Sequence, residues 1–460
     1  MNRRSLLTTA VAGIAAAGAG CAPASRDGGP GREPQLPGSP LSVLRGGPPA
    51  DLDRARERLA REGLDGVVVA HPVNVYYLTG YWPATSRMGY EAPLVAVLAR
   101  DPQQPVILVS AEFTYYYLLS DQRFDWPLEV FLYTGPLDGT QLAAARAGRY
   151  ASEPPAAPSR TFANAGLVPL SARERERQAA VEAAVRREPA SPDRDFALLK
   201  ALRRTGLDRG RIAVDHDVIR AVFAAADLPA TLLPADATLK RMRIVKSERE
   251  ITLLRAAATA NAGAALAACN VVRAGATCRE LRTAFYREAA ARGNRGVFMV
   301  IDGVSAEGVD APFREGQAFL IDAVSEGAGY HGDFARTVFV GEPPRPMADA
   351  TAAIKLGWEA VRESLRPGLR FEEITAIGRD AVRRAGYDFT IAFQPHSVGL
   401  YHNDAIGLGD LVLEPGMVIS VDCPVLQAGI GGTAHLEDLT LITASGAEPV
   451  HPVTAPVIQV

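Results

Sequence analysis

The chain has 460 residues, 48% hydrophobic and 22% charged, with a formal net charge of −3. That length predicts two domains and a sizeable core, and the charge gives no chain-wide attraction for nucleic acid, which is not expected as a partner. Four cysteines make no disulfide framework; Cys269, Cys278 and Cys423 form no CxxC pair and read as small buried residues.

Residues 1–21 read as an export signal: Arg3 and Arg4, then an apolar run of small residues through Ala19 to Cys21. The paired arginines resemble a bacterial twin-arginine signal. Cys21 after Gly18-Ala19-Gly20 resembles a lipoprotein box, with Gly18 where a large aliphatic residue is usual. A lipid anchor at Cys21 and plain export both stay open, and both predict a protein of the bacterial envelope or periplasm. Residues 22–50, rich in Pro and Gly, read as a flexible tether. No later segment shows the roughly 18 uninterrupted apolar residues of a membrane span.

Residues 51–235 are expected to form a first, α/β domain. Helical apolar spacing runs from Asp51 to Arg61 and stops at Gly63. Strands are predicted over 66–70, 94–98, 106–109 and 212–215, and turn-plus-strand over 71–80. The Ala-, Arg- and Glu-rich stretch at about 138–205 predicts a helical insertion with solvated faces. Residues 236–460 are expected to form the second domain. Ser247 with Glu250, and Thr277 with Glu280, have capping-box spacing and predict two helices. Strands follow over 298–301 and 318–321, helices over 347–365 and 371–385, and strand-rich sequence after that. The predicted class is α+β, with helices on one side of a largely antiparallel sheet.

Five residues of the second domain stand out. Asp322 closes the run Phe319-Leu320-Ile321, and Asp333 opens the run Phe334 to Phe339. A hairpin through Glu326-Gly327-Ala328-Gly329 would bring these two carboxylates together, where like charges repel unless a cation lies between them. His396 lies in Gln394-Pro395-His396-Ser397, Asp422 ends Val418-Ile419-Ser420-Val421, and Glu437 follows Ala434-His435-Leu436. Four acids and an imidazole in apolar strands carry a heavy desolvation cost if left as isolated ions. One or two divalent cations would remove it and create a reactive water.

In order, the motifs Ile-Asp, Asp-x-x-Arg-Thr, His-x-x-Gly-Leu, Gly-Met-Val-Ile-Ser-Val-Asp and Leu-Glu-Asp resemble the pita-bread metallopeptidases: Xaa-Pro aminopeptidases, prolidases and methionine aminopeptidases, with the metal-free relative creatinase. Residues 63–69 and 74–80 resemble the creatinase-type N-terminal domain, and Arg243 to Ile251 resembles the opening of the catalytic domain. The resemblance covers about residues 51–450. It implies a creatinase-type α/β domain followed by a pita-bread domain with a curved, largely antiparallel sheet. It implies two divalent ions, bridged by Asp333 and Glu437, with Asp322 on one and His396 and Asp422 on the other. Carboxylate-rich ligation suits Mn²⁺ first and accommodates Co²⁺, Fe²⁺ or Zn²⁺. Hydrolysis would then use a metal-bridging hydroxide, and a homodimer is expected.

The chain departs from the family pattern around this set. Position 422 is usually Glu; Asp draws the ligand atom back by roughly 1.5 Å. No histidine stands between Val304 and Ala318, and Ala392 holds another usual histidine position. The histidine expected at 403 is Asn403, with His402 one place earlier, and a one-residue slip in extended chain turns a side chain to the other face. Position 435 is usually Arg and is His435 here. His402 and His435 are therefore the candidate catalytic residues, with His331 as a third member of a replacement shell. The leading expectation is an exported metallohydrolase cleaving before proline in peptides. A metal-dependent small-molecule hydrolase or lyase is favoured by the altered histidines, and a non-catalytic, metal-stabilised binding protein stays open beside both.

Overall fold

The computed structural model describes residues 39–460 apart from 123, 157–162 and 307. The expected export signal at 1–21, Cys21 with it, and most of the 22–50 tether lie outside the described residues.

Apolar runs form the centre of the first sheet. It comprises β1 (Gly66–Val69), β2 (Leu94–Ala99), β3 (Val106–Ala111), β4 (Leu128–Tyr133), β5 (Gly210–Val214) and β6 (Ala230–Pro234), in the order β4-β3-β2-β1-β5-β6. Strand β1 runs antiparallel to β2 and parallel to β5. Val67 and Val69 pack into one core and Val68 into another on the opposite face. A strand buried on both faces has no reason to alternate, which is why the sequence reads as a continuous apolar run.

Two expectations change here. The segment predicted as turn and strand is the helix Pro72–Thr79, with Pro at its first turn and Gly80 in the left-handed conformation at its end. Asn74 through Thr79 are all buried, so the helix is enclosed on every side and carries no apolar stripe. The stretch read as a solvated helical insertion contains the helices Gly139–Ala147, Ala172–Arg187 and Arg194–Thr205. The last of these is a core element, burying Phe196, Leu198, Leu199 and Leu202 against the first sheet.

The second half is α+β. One sheet holds β7 (Arg295–Ile301), β8 (Ala318–Gly327) and β9 (Tyr330–Phe339), with β12 (Glu437–Asp438) and β15 (Val457–Gln459) both paired to β9. The other holds β10 (Gln394–Ser397), β11 (Val418–Asp422), β13 (Thr440–Ile442) and β14 (Ala447–Pro449), all antiparallel. The helices Glu248–Ala268 and Cys278–Ala291 begin with the capping boxes expected at Ser247 and Thr277. Their inner faces pack Ala262 and Ala265 of the first helix and Leu281 and Phe285 of the second against Phe319, Ile321, Ala323 and Phe334 of the first of these sheets. The helices Arg345–Ser364 and Phe371–Arg384 pack Trp358, Ile374 and Val382 against Ile419 and Val421 of the other. Each sheet thus turns one face to its own helices. The segment Glu248–Val271, with mean hydropathy 1.2, is long and apolar enough to cross a bilayer by length and composition, where no such segment was expected. Half of it is buried inside the protein, with Leu253, Leu254, Ala257 and Ala258 in the core.

Candidate metal centre and active site

Strand alternation builds the site. Paired residues on neighbouring strands point to the same face. Ala335 of β9 is paired with Asp322 of β8 on one side and with Glu437 of β12 on the other. Asp333 lies two residues along β9 on the same face, opposite Val324. The hairpin therefore sets Asp322 and Asp333 diagonally rather than face to face, because the turn is the two residues Ala328 and Gly329. Three carboxylates thus stand around one alanine.

The other sheet adds His396, paired with Ser420, and Asp422, paired with Gln394. His396 Nε2 lies 3.0 Å from Glu437 Oε1, 3.5 Å from Asp333 Oδ2 and 3.6 Å from Asp422 Oδ2. His402 Nε2 lies 3.1 Å from Asp333 Oδ2. His435 Nε2 lies 3.4 Å from Asp422 Oδ1 and 3.5 Å from Glu437 Oε2. All five expected ligands and both candidate catalytic histidines come together. His331 does not join them: its ring faces Glu326 at 3.9 Å and the Gly399 carbonyl at 3.3 Å.

His402 reaches Asp333 despite its shifted position because the chain leaves the strand after Ser397. Gly399 N donates to the Tyr401 carbonyl and Asp404 N to the Ser397 carbonyl, each at 3.0 Å, so the loop doubles back and strand parity no longer applies. Asp404 pins the loop's base, accepting from Arg243 Nε at 2.8 Å with Lys246 Nζ at 3.4 Å, all three buried. Burial acts to raise the Asp404 carboxyl, but the two cations outweigh it and hold it below its ordinary value. Phe298 meets the His402 ring edge-on at 5.3 Å. A cavity of about 450 Å³ lies on the other side of this loop, lined by His71, Asp215, Arg243, Tyr401, Asn403 and Asp404.

Exposure gives the site a direction. The side chains of His402 and Asp422 are 35% and 34% exposed and mark the mouth; those of Asp333, Glu437 and His435 are 0%, 1% and 5% exposed and form the closed end. Burial lifts the Asp322 carboxyl to about 7, with the Glu437 charge adding to it. Burial and Glu437 likewise push Asp333 well above the carboxylate range. Burial opposes charge on His396 and His435, yet the carboxylates facing them, Glu437 first for His396 and Asp422 with Glu437 for His435, raise them to about 9 and about 10. The same two imidazoles overcome burial at Glu437 and hold it well below its usual value.

Buried polar atoms normally have partners. Asp322 Oδ1, both Asp333 oxygens and Glu437 Oε2 have no hydrogen-bond partner, nor do His402 Nε2 and the Nδ1 atoms of His396 and His435. Three sets bring one donor atom from each member within 4.8 Å of the others: Asp322, His435 and Glu437; Asp333, His396 and His402; His396, Asp422 and Glu437. Carboxylate and imidazole donors suit divalent ions, and a cation among the orphaned oxygens supplies the missing partner. The residues fit such an ion.

Sequence reasoning missed the groups that hold these side chains in place. Thr337 Oγ1 accepts from His435 N at 3.0 Å and donates to His435 O at 3.1 Å. Arg336 donates to the carbonyls of Ala335 and Glu437 at 2.8 and 3.0 Å, from the face opposite the site. Both stand in the Asp-x-x-Arg-Thr stretch, so the signal was present as a motif and not as a geometry.

Fold and cluster together define an α+β protein with a candidate divalent-metal centre behind a mixed α/β domain. Residues 252–444 match the model of metallopeptidase family M24, and residues 52–165 match the creatinase/prolidase N-terminal domain. The two matches set these regions of the chain alongside the M24 metallopeptidases, a family that uses divalent metals. It is 31% identical over 234 residues to the probable dipeptidase PepE of Mycobacterium tuberculosis, covering 48% of this chain and 62% of that protein. It is 26% identical over 227 residues to an Xaa-Pro dipeptidase of Pyrococcus furiosus, covering 46% of this chain and 64% of that one. The chain thus spans less than two thirds of the length of these curated relatives. Among solved structures, the prolidase of Pyrococcus horikoshii OT3 superposes with a TM-score of 0.60 at 19% identity, over 88% of this chain and 99% of that one. An Xaa-Pro dipeptidase from Bacillus anthracis superposes with a TM-score of 0.62 at 18% identity, over 89% and 99%. The fold is the pita-bread fold with a creatinase-type N-terminal domain.

Proposed function

We propose that this protein is a dinuclear metal-dependent hydrolase of Xaa-Pro peptides, an Xaa-Pro dipeptidase or aminopeptidase. The observation that carries the reading is the convergence of four carboxylates and His396 from two sheets, with Asp333 buried and both its oxygens unpartnered. The names borne by PepE and by the Pyrococcus furiosus Xaa-Pro dipeptidase support the substrate class. Asp322, Asp333, Glu437, His396 and Asp422 are the residues to hold the ions. Bound there, divalent ions would activate water and polarise the scissile carbonyl. Carboxylates favour Mn²⁺, and each added imidazole moves the preference toward Co²⁺, Fe²⁺ or Zn²⁺.

The chain's own residues supply the rest. The mouth between His402 and Asp422 admits the peptide. His402 stands there on Asp333, within reach of both solvent and cluster, and is the group to carry a proton to the leaving amine. Phe298 against its ring limits how far it can swing. Purified protein loaded with Mn²⁺ or Co²⁺ is expected to cleave Xaa-Pro dipeptides or tripeptides, and Asp333→Ala to abolish turnover. Comparing dipeptides with tripeptides separates the two peptidase classes. No cleavage of either by loaded enzyme would overturn the substrate class and leave the small-molecule hydrolase reading, which the missing histidines at 392 and 403 favour.

Three further readings belong to the proposal. The leader at 1–21 supports an exported enzyme of the bacterial envelope, which fractionation of the native host tests. Cys21 supports a lipid anchor, tested by mass spectrometry of the mature N-terminus. The family resemblance supports a homodimer, tested by light scattering.

A further inference from the structure

We propose that His435, expected beside His402 in the proton-handling shell, is a direct metal ligand, so that the centre holds one imidazole for each of two ions. The inference rests on the metallohydrolase reading above and refines its ligand set.

His435 occupies the wrong place for a proton carrier. Its side chain is 5% exposed, with Nε2 turned to Asp422 and Glu437. A carrier must exchange its proton with the leaving group and with solvent, and only His402 stands where both are reachable.

Its distances are those of a ligand. His435 Nε2 lies 3.4 and 3.5 Å from two carboxylate oxygens, one on Asp422 and one on Glu437. A hydrogen bond to a carboxylate is shorter, about 2.7–2.9 Å when charged. Donor atoms that share a cation at bonds of about 2.0–2.2 Å stand about 3.0–3.5 Å apart for angles between square and tetrahedral.

The surroundings lack what an ion would give. His435, Asp322 and Glu437 form one set with donor atoms within 4.8 Å, and His396, Asp422 and Glu437 form another. Glu437 belongs to both, with Oε1 toward His396 and Oε2 toward His435. Asp322 Oδ1 and Glu437 Oε2 are unpartnered. Nδ1 of His435 is unpartnered as well, so no hydrogen bond from behind fixes the ring, and a bond at Nε2 would. Its backbone is already fixed, both ends of the residue being tied to Thr337 Oγ1. The backbone of the residue is held and its Nε2 is aimed at an acid pair, where a cation would share it with Asp322 and Glu437.

Two imidazoles in place of one move the centre toward Fe²⁺, Co²⁺ or Zn²⁺ and away from Mn²⁺. The test is X-ray absorption on the full-length protein loaded with Co²⁺, together with elemental analysis of ions per chain. The wild type is expected to bind two ions with imidazole scattering about twice that of His435→Ala, and the variant to hold one of the ions more than about tenfold more weakly. His435→Gln, which keeps a polar group in place, is expected to lose the same imidazole signal, and covers the case in which the alanine variant does not fold. An unchanged imidazole signal with two ions retained in either variant overturns the inference and leaves the metallohydrolase reading standing. A wild type that takes up no divalent ion overturns both, and that arm alone separates the two failures.

Discussion

Glu437 and Asp438 are neighbours in the chain and serve opposite faces of one sheet. Glu437 turns to the cluster, its oxygens toward His396 and His435. Asp438 turns the other way, to Arg336 Nη2 at 2.7 Å, with His451 Nε2 at 3.1 Å. Period-two alternation makes this split obligatory for adjacent residues of a strand. A pair of acids that would repel on one side is divided between the cluster and an anchor.

Arg336 is the centre of that anchor, and its loss is predicted to be severe. Its guanidinium is fully buried, stacks on Phe334 at 4.1 Å and bonds Ala455 O, Ala335 O, Glu437 O and Asp438. Arg336→Met removes the cation and leaves those acceptors and Asp438 without it. Breaking a buried pair in this way costs about 3–5 kcal/mol, to be read as a shift in the urea midpoint. A cost below about 1 kcal/mol, the range of surface pairs, would show that the anchor does not hold strand β12 to β9.

The cluster itself predicts a stability exchange between protons and metal. Burial and Glu437 hold the Asp333 carboxyl well above its ordinary value, so its ionised form costs stability in the metal-free protein. Chelation is expected to lower the melting temperature of the wild type, and divalent ion at a hundredfold over its Kd to restore about 2.7 kcal/mol. Asp333→Asn removes the strained charge and the ligand together. Its metal-free form is expected to melt at or above the metal-free wild type, and added ion to leave it unmoved. A metal-induced rise of wild-type size in Asp333→Asn would place the ion elsewhere. Differential scanning calorimetry of the four samples decides it.

The cluster acids were legible in the sequence because each one interrupts an apolar strand, and an acid there needs a partner. The two β8–β9 acids were legible as a hairpin pair, although their diagonal offset was not, since it depends on a turn of two residues. His402, a candidate in spite of its shifted position, reaches the cluster for a definite reason: parity arguments hold within a strand, and residues 399–404 form a doubled-back loop fastened by Asp404 to Arg243 and Lys246. Those two cations lie more than 150 positions upstream of Asp404, and no local pattern links them. The helix Pro72–Thr79 was missed because burial all round erased the periodicity that normally reveals a helix, leaving its proline start and glycine stop as the signal.

Glu250 gives the protein a pH dependence independent of the metal site. It caps the helix Glu248–Ala268, taking Ser247 N at 2.9 Å, and accepts from Tyr330 Oη at 3.2 Å. It is fully buried, and burial lifts its carboxyl from 4.5 to about 7, against the pull of Lys246 and of the Ser247 amide. Between those two values the folded protein keeps a proton that the unfolded chain has released. Stability therefore falls as pH rises from 4.5 toward 7 and stays at the lower level above it. The difference corresponds to roughly 3 kcal/mol. Gln serves in a capping box as Glu does, so Glu250→Gln keeps the cap and drops the titration. Urea unfolding across this pH range should show the variant gaining on the wild type until about pH 7 and running parallel to it beyond. Curves that stay parallel from pH 4.5 upward would mean that Glu250 ionises in the folded protein as freely as in the unfolded chain, and that Lys246 offsets its burial.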